Sequence, residues 1–323
     1  MPTLDLQTRA RVGARVAVTT ALSAFPDAWS TSARDRFWAA SGRRRAAWAK
    51  VAAALRHKPI AGLGTFTLAD RPDVQLVAVD NQIARLLYWY GESGYEPGEV
   101  RVWRRFCSRS ATILEVGANI GYYTVQGAMA APDAAHTAVE AQPDSAEIIR
   151  QNVELNGLSN VKVVHAAAVG EKTSDTVELA LPDAERYVAP TGAFLAAGTE
   201  GVGLVRAARR LITVPAVGFA ELVDGVTLLK LDIEGMEHAA LEVALPLLLR
   251  QRATLFVEVL RDTPRLRAHL VEMLGHDYEM HVLTPTGPVR VGASQVPTAD
   301  FSSEYGGRDV VVVPAEHRDW LAS

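Results

Sequence analysis

Residues 113–126 read ILEVGANIGYYTVQ and decide the fold of this chain. An apolar run with one acid, Glu115, breaks into a short turn from Gly117 to Gly121, after which apolar residues return. A strand, a glycine turn and a helix in this order build cofactor pockets in open parallel sheets, where ligands bind beyond the carboxyl ends of the strands. The stretch therefore predicts a cofactor site of the nucleotide type.

The same alternation of strands and helices continues along the chain. Apolar strand patterns at 111–116, 136–142, 161–169, 227–235, 253–260, 278–284 and 309–314 are mostly separated by helical patterns. This rhythm predicts a doubly wound α/β sheet with helices on both faces. It breaks at 172–226, which we expect to be irregular and to carry a substrate loop at about 183–210.

The turn favours S-adenosylmethionine (SAM) over a dinucleotide or ATP. A dinucleotide site needs G-x-G-x-x-G, but Asn119 stands at the second glycine, and no P-loop Lys follows Gly121. Glu115 would face the turn with a negative charge, which suits the ammonium and sulfonium groups of SAM and not a phosphate. Glu140 ends the next strand, where a carboxylate binds ribose hydroxyls.

Composition narrows the class of protein. The 323 residues carry a net charge of -4 and a single cysteine, Cys107, which excludes an internal disulfide and a cysteine metal cluster. We expect no nucleic-acid partner and no membrane association, since the pI is near 6.1 and no apolar run is long enough to span a bilayer. The N-terminus is a poor signal peptide, so a cytoplasmic location is expected.

The sequence predicts that the chain is divided into an N-terminal extension and one large domain. Residues 1–60 read as an N-terminal helical extension rich in Ala and Arg, whose helices could form a homodimer interface. Residues 61–323 read as the catalytic domain, beginning with a hairpin within 61–82.

The fourth strand ends in a second motif, KLDIEG, at 230–235. Lys230, Asp232 and Glu234 alternate and would share one face of the strand, and Glu258 ends the neighbouring strand. Three roles are open for Asp232. It could be a general base, with Lys230 and Glu258 orienting it or the substrate, or it could bind Mg, Ca or Mn together with Glu258 and Glu234. It could also belong to an ion-paired cluster with Lys230 and Glu258 that only ties the strand ends together.

Further residues are candidates for binding the substrate. Glu234 lies within the KLDIEG motif and His238 follows it, and the 183–210 loop carries aromatic and basic side chains, among them Tyr187 and Arg206.

Taken together, the segments GYEPGEV, LEVGANIGYYT, VEAQPDSAEIIRQNVELNGLSNVKVVHAAAVG, LLKLDIEGMEHAAL and LFVEV resemble the FkbM family of SAM-dependent methyltransferases over roughly residues 85–314. The resemblance implies a Rossmann-like class I methyltransferase sheet of seven strands with the last one antiparallel. It also implies O-methylation of hydroxyls on sugars or macrocyclic natural products. Gln142 departs from the family pattern, in which a proline more often follows the ribose acid directly.

By position, the resemblance assigns contacts to SAM along the first three strands. The residues concerned are Glu115, Gly117, Ala118, Asn119, Gly121, Glu140, Ala141, His165 and Ala166, with Asp232 beside them.

Three other functions remain open. The fold also supports N-methylation of an amine or peptide. An NAD-dependent oxidoreductase is disfavoured by Asn119 and the missing third glycine, and a non-catalytic SAM-fold binding protein is disfavoured by the intact KLDIEG motif.

Overall fold

The computed structural model describes residues 27–181, 192–195 and 210–322. These residues form two compact units, the first ending at Tyr95 and the second beginning at Glu96. None of the helices within the described ranges is long and apolar enough to cross a membrane.

Within residues 27–95, the first unit contains three α-helices and one hairpin. Its elements are α1 (Asp27–Ala39), α2 (Gly42–Leu55), β1 (Thr65–Thr67), β2 (Gln75–Val77) and α3 (Gln82–Tyr90). The predicted N-terminal helices are thus present from Asp27 onward, and residues 1–26 lie outside the described ranges. The predicted hairpin is also present, with Phe66 opposite Leu76.

The second unit is built on a large sheet with order β13-β12-β14-β11-β10-β3-β4-β5. Its strands are β3 (Thr112–Val116), β4 (Ala135–Glu140), β5 (Val161–His165), β10 (Leu228–Leu231), β11 (Thr254–Glu258), β12 (Tyr278–Thr284), β13 (Gly287–Val291) and β14 (Asp309–Pro314). β14 lies antiparallel between β11 and β12, so the predicted seven strands and their antiparallel last strand are confirmed.

The sheet has one strand more than the sequence predicts. β13 pairs with β12 in a hairpin that Thr284 closes, because its Oγ1 donates to the carbonyl of Gly287. The pattern at 287–291 is too short and polar to be distinguished from a loop.

A second sheet, with order β6-β9-β7-β8, corrects one strand prediction and one prediction of an irregular segment. Its strands are β6 (Ala167–Val169), β7 (Thr176–Leu181), β8 (Phe194–Leu195) and β9 (Arg210–Gly218). The run at 161–169 is therefore two strands in two sheets. Within the segment predicted to be irregular at 172–226, the described residues 176–181 and 210–218 form an antiparallel pair. The last three residues of TVELAL are all buried, whereas burial in RLITVPAVG alternates only from Val214 to Gly218.

Helices cover both faces of the large sheet. They are α4 (Pro97–Cys107), α5 (Tyr122–Ala130), α6 (Pro143–Leu155), α7 (Glu237–Gln251), α8 (Pro264–Leu274) and the short α9 (Phe301–Tyr305).

Leu229, Leu231 and Leu241 belong to the main apolar core. Trp103 and Phe106 of α4 pack edge-on against Phe256 of β11. Side chains alternate along a strand, so Lys230 points away from the face that Leu229 and Leu231 bury. Lys230 therefore lies on the face of the sheet that α4 covers, next to Phe256, and the N-terminus of α4 is near it.

Candidate functional site

The glycine turn packs against the end of the fourth strand of the fold, β10. Gly117 has φ +86°, and a Cβ added to it would lie 1.7 Å from the carbonyl oxygen of Asp232. Only glycine therefore fits at this position. The backbone N–H groups of Gly117 and Ala118 both donate to the carbonyl of Val139, which fixes the turn to β4. The first and second sequence motifs thus meet at one point.

Glu140 lies at the end of β4, as predicted, and its two oxygens bind the backbone on both sides. Oε2 accepts from the N–H of Asn119 and Oε1 from the N–H of Gln142, each at 2.8 Å. Burial raises the pKa of this carboxyl to about 7, although the backbone donors favour its charged form. Each oxygen keeps a further lone pair, so Glu140 can also accept hydroxyl groups from a ribose.

The other predicted cofactor residues surround Glu140 on the neighbouring strands. His165 pairs with Glu140 across β4 and β5, and its Nε2 lies 3.1 Å from the carbonyl of Ala141. The N–H of Ala166 donates to the carbonyl of Glu140 at 3.0 Å. Gly121 has φ +77° and caps α5.

Glu115 differs from expectation because it does not face the turn. Its side chain is buried, and Oε2 accepts from Oγ1 of Thr124 at 2.7 Å and lies 3.2 Å from Nε2 of His136. Both contacts are made by one oxygen, Oε2, and the contact of Glu115 with SAM stays a prediction.

Lys230 is the buried cation at the centre of the second motif. Its Nζ lies 3.4 Å from Oδ2 of Asp232, 3.5 Å from Oε1 of Glu99 and 4.6 Å from the ring centre of Tyr123. Burial opposes its charge, but Glu99 and Asp232 outweigh that effect, so the pKa of Lys230 stands well above its usual value. Lys230 therefore remains an ammonium that holds two carboxylates.

Glu258 lies level with Asp232, since β10 and β11 are parallel and Leu231 pairs with Val257. Its Oε1 is 2.8 Å from Nη2 of Arg308, and Oε2 has no hydrogen-bond partner among the described residues. Burial, and next the charge of Asp232, raise the pKa of Glu258 well above its usual value. The two acids predicted to bind a metal are thus each paired with a basic side chain.

The turn after Asp232 is held by an acid that the sequence did not single out. Glu234 and Gly235 have φ values of +54° and +103°. The carboxylate of Glu237 accepts the N–H of Ile233 and of Gly235, each at 2.9 Å. Glu234 is thereby fixed in the turn.

His238, predicted to bind the acceptor, is buried. It is only 2% exposed, and its role as an acceptor ligand stays a prediction. The physical reason lies in the spacing of 238, 241, 245 and 248, which places His238 on the buried stripe of α7. Tyr187, Arg206 and most of the 183–210 loop lie outside the described residues.

The structure adds three carboxylates that sequence reasoning missed or ranked low: Glu96, Glu99 and Asp309. One carboxylate oxygen from each of these three residues lies within 4.8 Å of the other two. Among the described residues, Asp232 and Glu258 do not form such a group with a third metal-ligating side chain. If the chain binds a divalent ion, this is the group whose spacing allows it. The signal for Glu96 and Glu99 is their i,i+3 spacing at the start of a helix, next to Pro97.

Glu96 has two features typical of functional sites. It is a non-glycine residue with φ +43°, and Oη of Tyr123 donates to its Oε2 at 2.8 Å. Burial, and next the charge of Asp309, raise the pKa of Glu96 to about 7.

Comparison with known proteins gives a family match and several distant structures. The family model described as the methyltransferase FkbM domain matches residues 115–280, just over half of the chain. A comparison with curated proteins gives no match.

Three solved methyltransferases illustrate the structural matches. Methyltransferase FkbM from Methylobacillus flagellatus KT is 13% identical, with TM-score 0.39, covering 72% of this chain and 54% of that one. The O-methyltransferase TomG from Streptomyces achromogenes, in complex with SAM, is 12% identical, with TM-score 0.36 and coverage of 68% and 79%. Precorrin-6y C5,15-methyltransferase from Geobacter metallireducens GS-15 is 13% identical, with TM-score 0.35 and coverage of 67% and 86%.

Proposed function

Because the chain belongs to the FkbM family of SAM-dependent methyltransferases, we propose that it methylates a hydroxyl group of a sugar or another natural-product small molecule. The observation that carries this proposal is the contact between Gly117 and the carbonyl of Asp232. It joins the cofactor turn to the cluster of Lys230 and Asp232. A group bound at the turn would therefore lie beside a carboxylate that can receive a proton.

The residues present fit SAM. Glu140 offers a carboxylate for the ribose, and the turn from Gly117 to Gly121 presents backbone without bulky side chains. Ala141, His165 and Ala166 border Glu140 on the side where we place the adenine. When bound, SAM supplies a methyl group already activated by its sulfonium, so that positioning provides much of the catalysis.

Asp232 is our proposed base for the acceptor hydroxyl. A hydroxyl needs help to lose its proton near neutral pH, and a side chain within hydrogen-bond reach provides it. Lys230 fixes the Asp232 carboxylate from one side, and Glu258 lies beside it. Glu234, which the Glu237 carboxylate holds in the turn, is proposed to contact the acceptor.

A metal-assisted reaction is the alternative for the same residues. It would require Asp232 and Glu258 to exchange their pairing with Lys230 and Arg308 for an oxygen-bound ion such as Mg or Mn. We prefer the metal-free reaction because both carboxylates already have cationic partners.

The test is transfer of tritium from S-adenosyl-[methyl-³H]methionine to a panel of methyl glycosides and macrolactone alcohols. NMR of the product then identifies the methylated atom. A new O-methyl group supports the proposal, and an N-methyl group on an amine in the panel favours N-methylation instead. Reduction of NAD by members of the panel, without methyl transfer, would contradict both.

A further inference from the structure

A cavity of about 660 Å³ opens at the carboxyl end of β11. It is lined by the two residues that follow β11, by the turn 261–263 and the start of α8, by the segment 297–302 and by Arg308. Nη2 of Arg308 lies 2.8 Å from Oε1 of Glu258, which is level with Asp232. The cofactor residues belong to β3, β4 and β5, on the other side of β10. The cavity is therefore placed for the acceptor, and its volume is ordinary for a ligand pocket.

Arg267 of α8 is the buried cation of this cavity. It is only 8% exposed, and its guanidinium carbon lies 5.0 Å from the ring centre of Phe301. Nη1 donates to the carbonyls of Val296 and Ala299, at 2.6 and 3.0 Å. Both acceptors are neutral, and no carboxylate within the described ranges forms an ion pair with Arg267. Because arginine is almost never buried without an acidic partner, an anion is the partner that this side chain lacks.

The donors that Arg267 has left form one edge of its guanidinium. Nε and Nη2 make no hydrogen bond to a described residue, since the two bonds of this side chain both start from Nη1. Both nitrogens keep accessible surface where Arg267 lines the cavity. Nε and Nη2 together present the planar fork that binds two oxygens of a carboxylate or a phosphate.

The start of α8 adds positive potential to the same wall. Thr263 and Pro264 line the cavity where the helix begins. Oγ1 of Thr263 donates to the carbonyl of Leu260 and does not cap the helix. The positive end of the helix dipole is thus available to an anion.

The other two arginines of the lining already have acidic partners. Arg261 pairs with Asp300 at 2.7 Å, and Arg308 pairs with Glu258 at 2.8 Å. These pairs leave Arg267 as the cation of the lining without a carboxylate.

The two aspartates of the lining do not replace that partner. Asp300 is held by Arg261, and the exposed Asp262 forms no ion pair with a described residue. Burial lowers the pKa of Arg267, and the charges of Asp262 and Asp300 oppose this effect without offsetting it. An anion against the free edge of the guanidinium would stabilise its charged form.

We infer that this cavity binds an oxyanion of the acceptor through Nε and Nη2 of Arg267, so that the acceptor is an acidic molecule such as a uronic acid or a sugar phosphate. The inference rests on the proposed function, because it names the class of acceptor for that site. Carboxylate and phosphate present the same pair of oxygens to the guanidinium, and the choice of probes separates them.

The test compares matched probes on the full chain saturated with S-adenosylhomocysteine (SAH). The probes are D-glucose, D-glucuronate and D-glucose 6-phosphate, which differ only at carbon 6, and binding is followed by ligand-observed NMR. We expect at least one anionic probe to bind roughly tenfold more tightly than D-glucose. The tighter of the two anionic probes identifies the group that the cavity recognises.

Two variants change the charge near the proposed anion in opposite directions. Arg267→Gln should remove the preference for the anionic probe, whereas Arg150→Met, at an exposed arginine of α6, should keep it. Asp262→Asn should strengthen binding of the anionic probe several-fold and leave that of D-glucose unchanged, because it removes a negative charge beside Arg267. Asp262 is exposed and has φ +60°, a conformation that asparagine also adopts, so this variant leaves the buried residues intact.

Several results would overturn the inference. Equal binding of the three probes, or no binding of any of them, would do so, as would an anionic preference that survives in Arg267→Gln. If urea unfolding shows that Arg267→Gln does not fold, Asp262→Asn decides alone, and an unchanged affinity for the anionic probe counts against the site. Binding of SAH is measured first on the same samples. Absent SAH binding contradicts the proposed function, whereas equal probe binding to the SAH-loaded chain contradicts only the anion site.

Discussion

Nζ of Lys230 lies 3.4 Å from Oδ2 of Asp232, and the pair closes the fourth strand directly against the glycine turn of the first. Lys230 is 5% exposed and its ammonium also holds Glu99, so one buried cation organises two acids of different segments. Burying charges in this way is stable only when each has a partner. Lys230 therefore links the proposed cofactor end of the site to the proposed acceptor end.

Lys230→Met should strongly destabilise the chain. Glu99 and Asp232 would lose their shared cation, and removing one partner of a buried ion pair costs about 3–5 kcal/mol. Urea unfolding measures the loss. Arg150→Met, which breaks the exposed pair with Glu147, is the control and should cost less than about 1 kcal/mol. A loss as small for Lys230→Met as for the control would contradict the role of Lys230 as an organising cation.

Gly117→Ala should abolish SAH binding. It should also lower the free energy of unfolding by more than the strain of a left-handed backbone alone. The new methyl would collide with the carbonyl of Asp232, and the turn would have to move. Gly157→Ala is a matched control, because Gly157 also has positive φ but an added Cβ meets nothing within 4 Å. Gly157→Ala should lower the free energy of unfolding by only about 1–2 kcal/mol, the strain of an alanine in the left-handed region. Calorimetry with SAH and urea unfolding check both variants, and normal SAH affinity in Gly117→Ala would disprove the close packing.

Asp232→Asn should bind SAH normally and lose methyl transfer. Removing a general base typically lowers turnover by about 10²–10⁴-fold. The exposed Asp133→Asn serves as the control and should keep full activity. Full activity of Asp232→Asn would rule out Asp232 as the base, and a rate unchanged by exhaustive EDTA treatment would remove the metal alternative.

Stability should depend on pH through Glu237. Burial raises the pKa of Glu237 from 4.5 to about 7, so the folded chain binds more protons than the unfolded chain between these values. The free energy of unfolding contributed by this group should therefore fall as pH rises from 4.5 to 7 and level off above. Urea unfolding at pH 5.5 and 7.5 tests it. Wild type should lose stability relative to Glu237→Gln over this interval, and a constant difference between the two would contradict the shift.

Much of the fold follows from local patterns. The alternation of apolar strands and helices predicts the parallel sheet, and the rule that ligands lie at the carboxyl ends of strands locates Glu140 and Asp232 correctly in space. Glu115 was misplaced because the sequence does not show that Thr124 and His136 would satisfy its carboxylate inside the fold. His238, in contrast, could have been predicted as buried from its spacing to Leu241 and Leu245.

The group of Glu96, Glu99 and Asp309 could not be predicted in the same way. Glu99 and Asp309 are more than two hundred residues apart, and each alone resembles an ordinary acid at the start of a helix or strand. Only the antiparallel insertion of β14 beside β11, and the packing of α4 over Phe256, bring them together. The pairing of Lys230 with Glu99 depends on the same tertiary contacts.

Calorimetry of the full chain with SAH and, separately, with NAD tests whether the turn from Gly117 to Gly121 is a SAM site. We expect saturable binding of SAH and no binding of NAD. Binding of NAD together with no binding of SAH would contradict it.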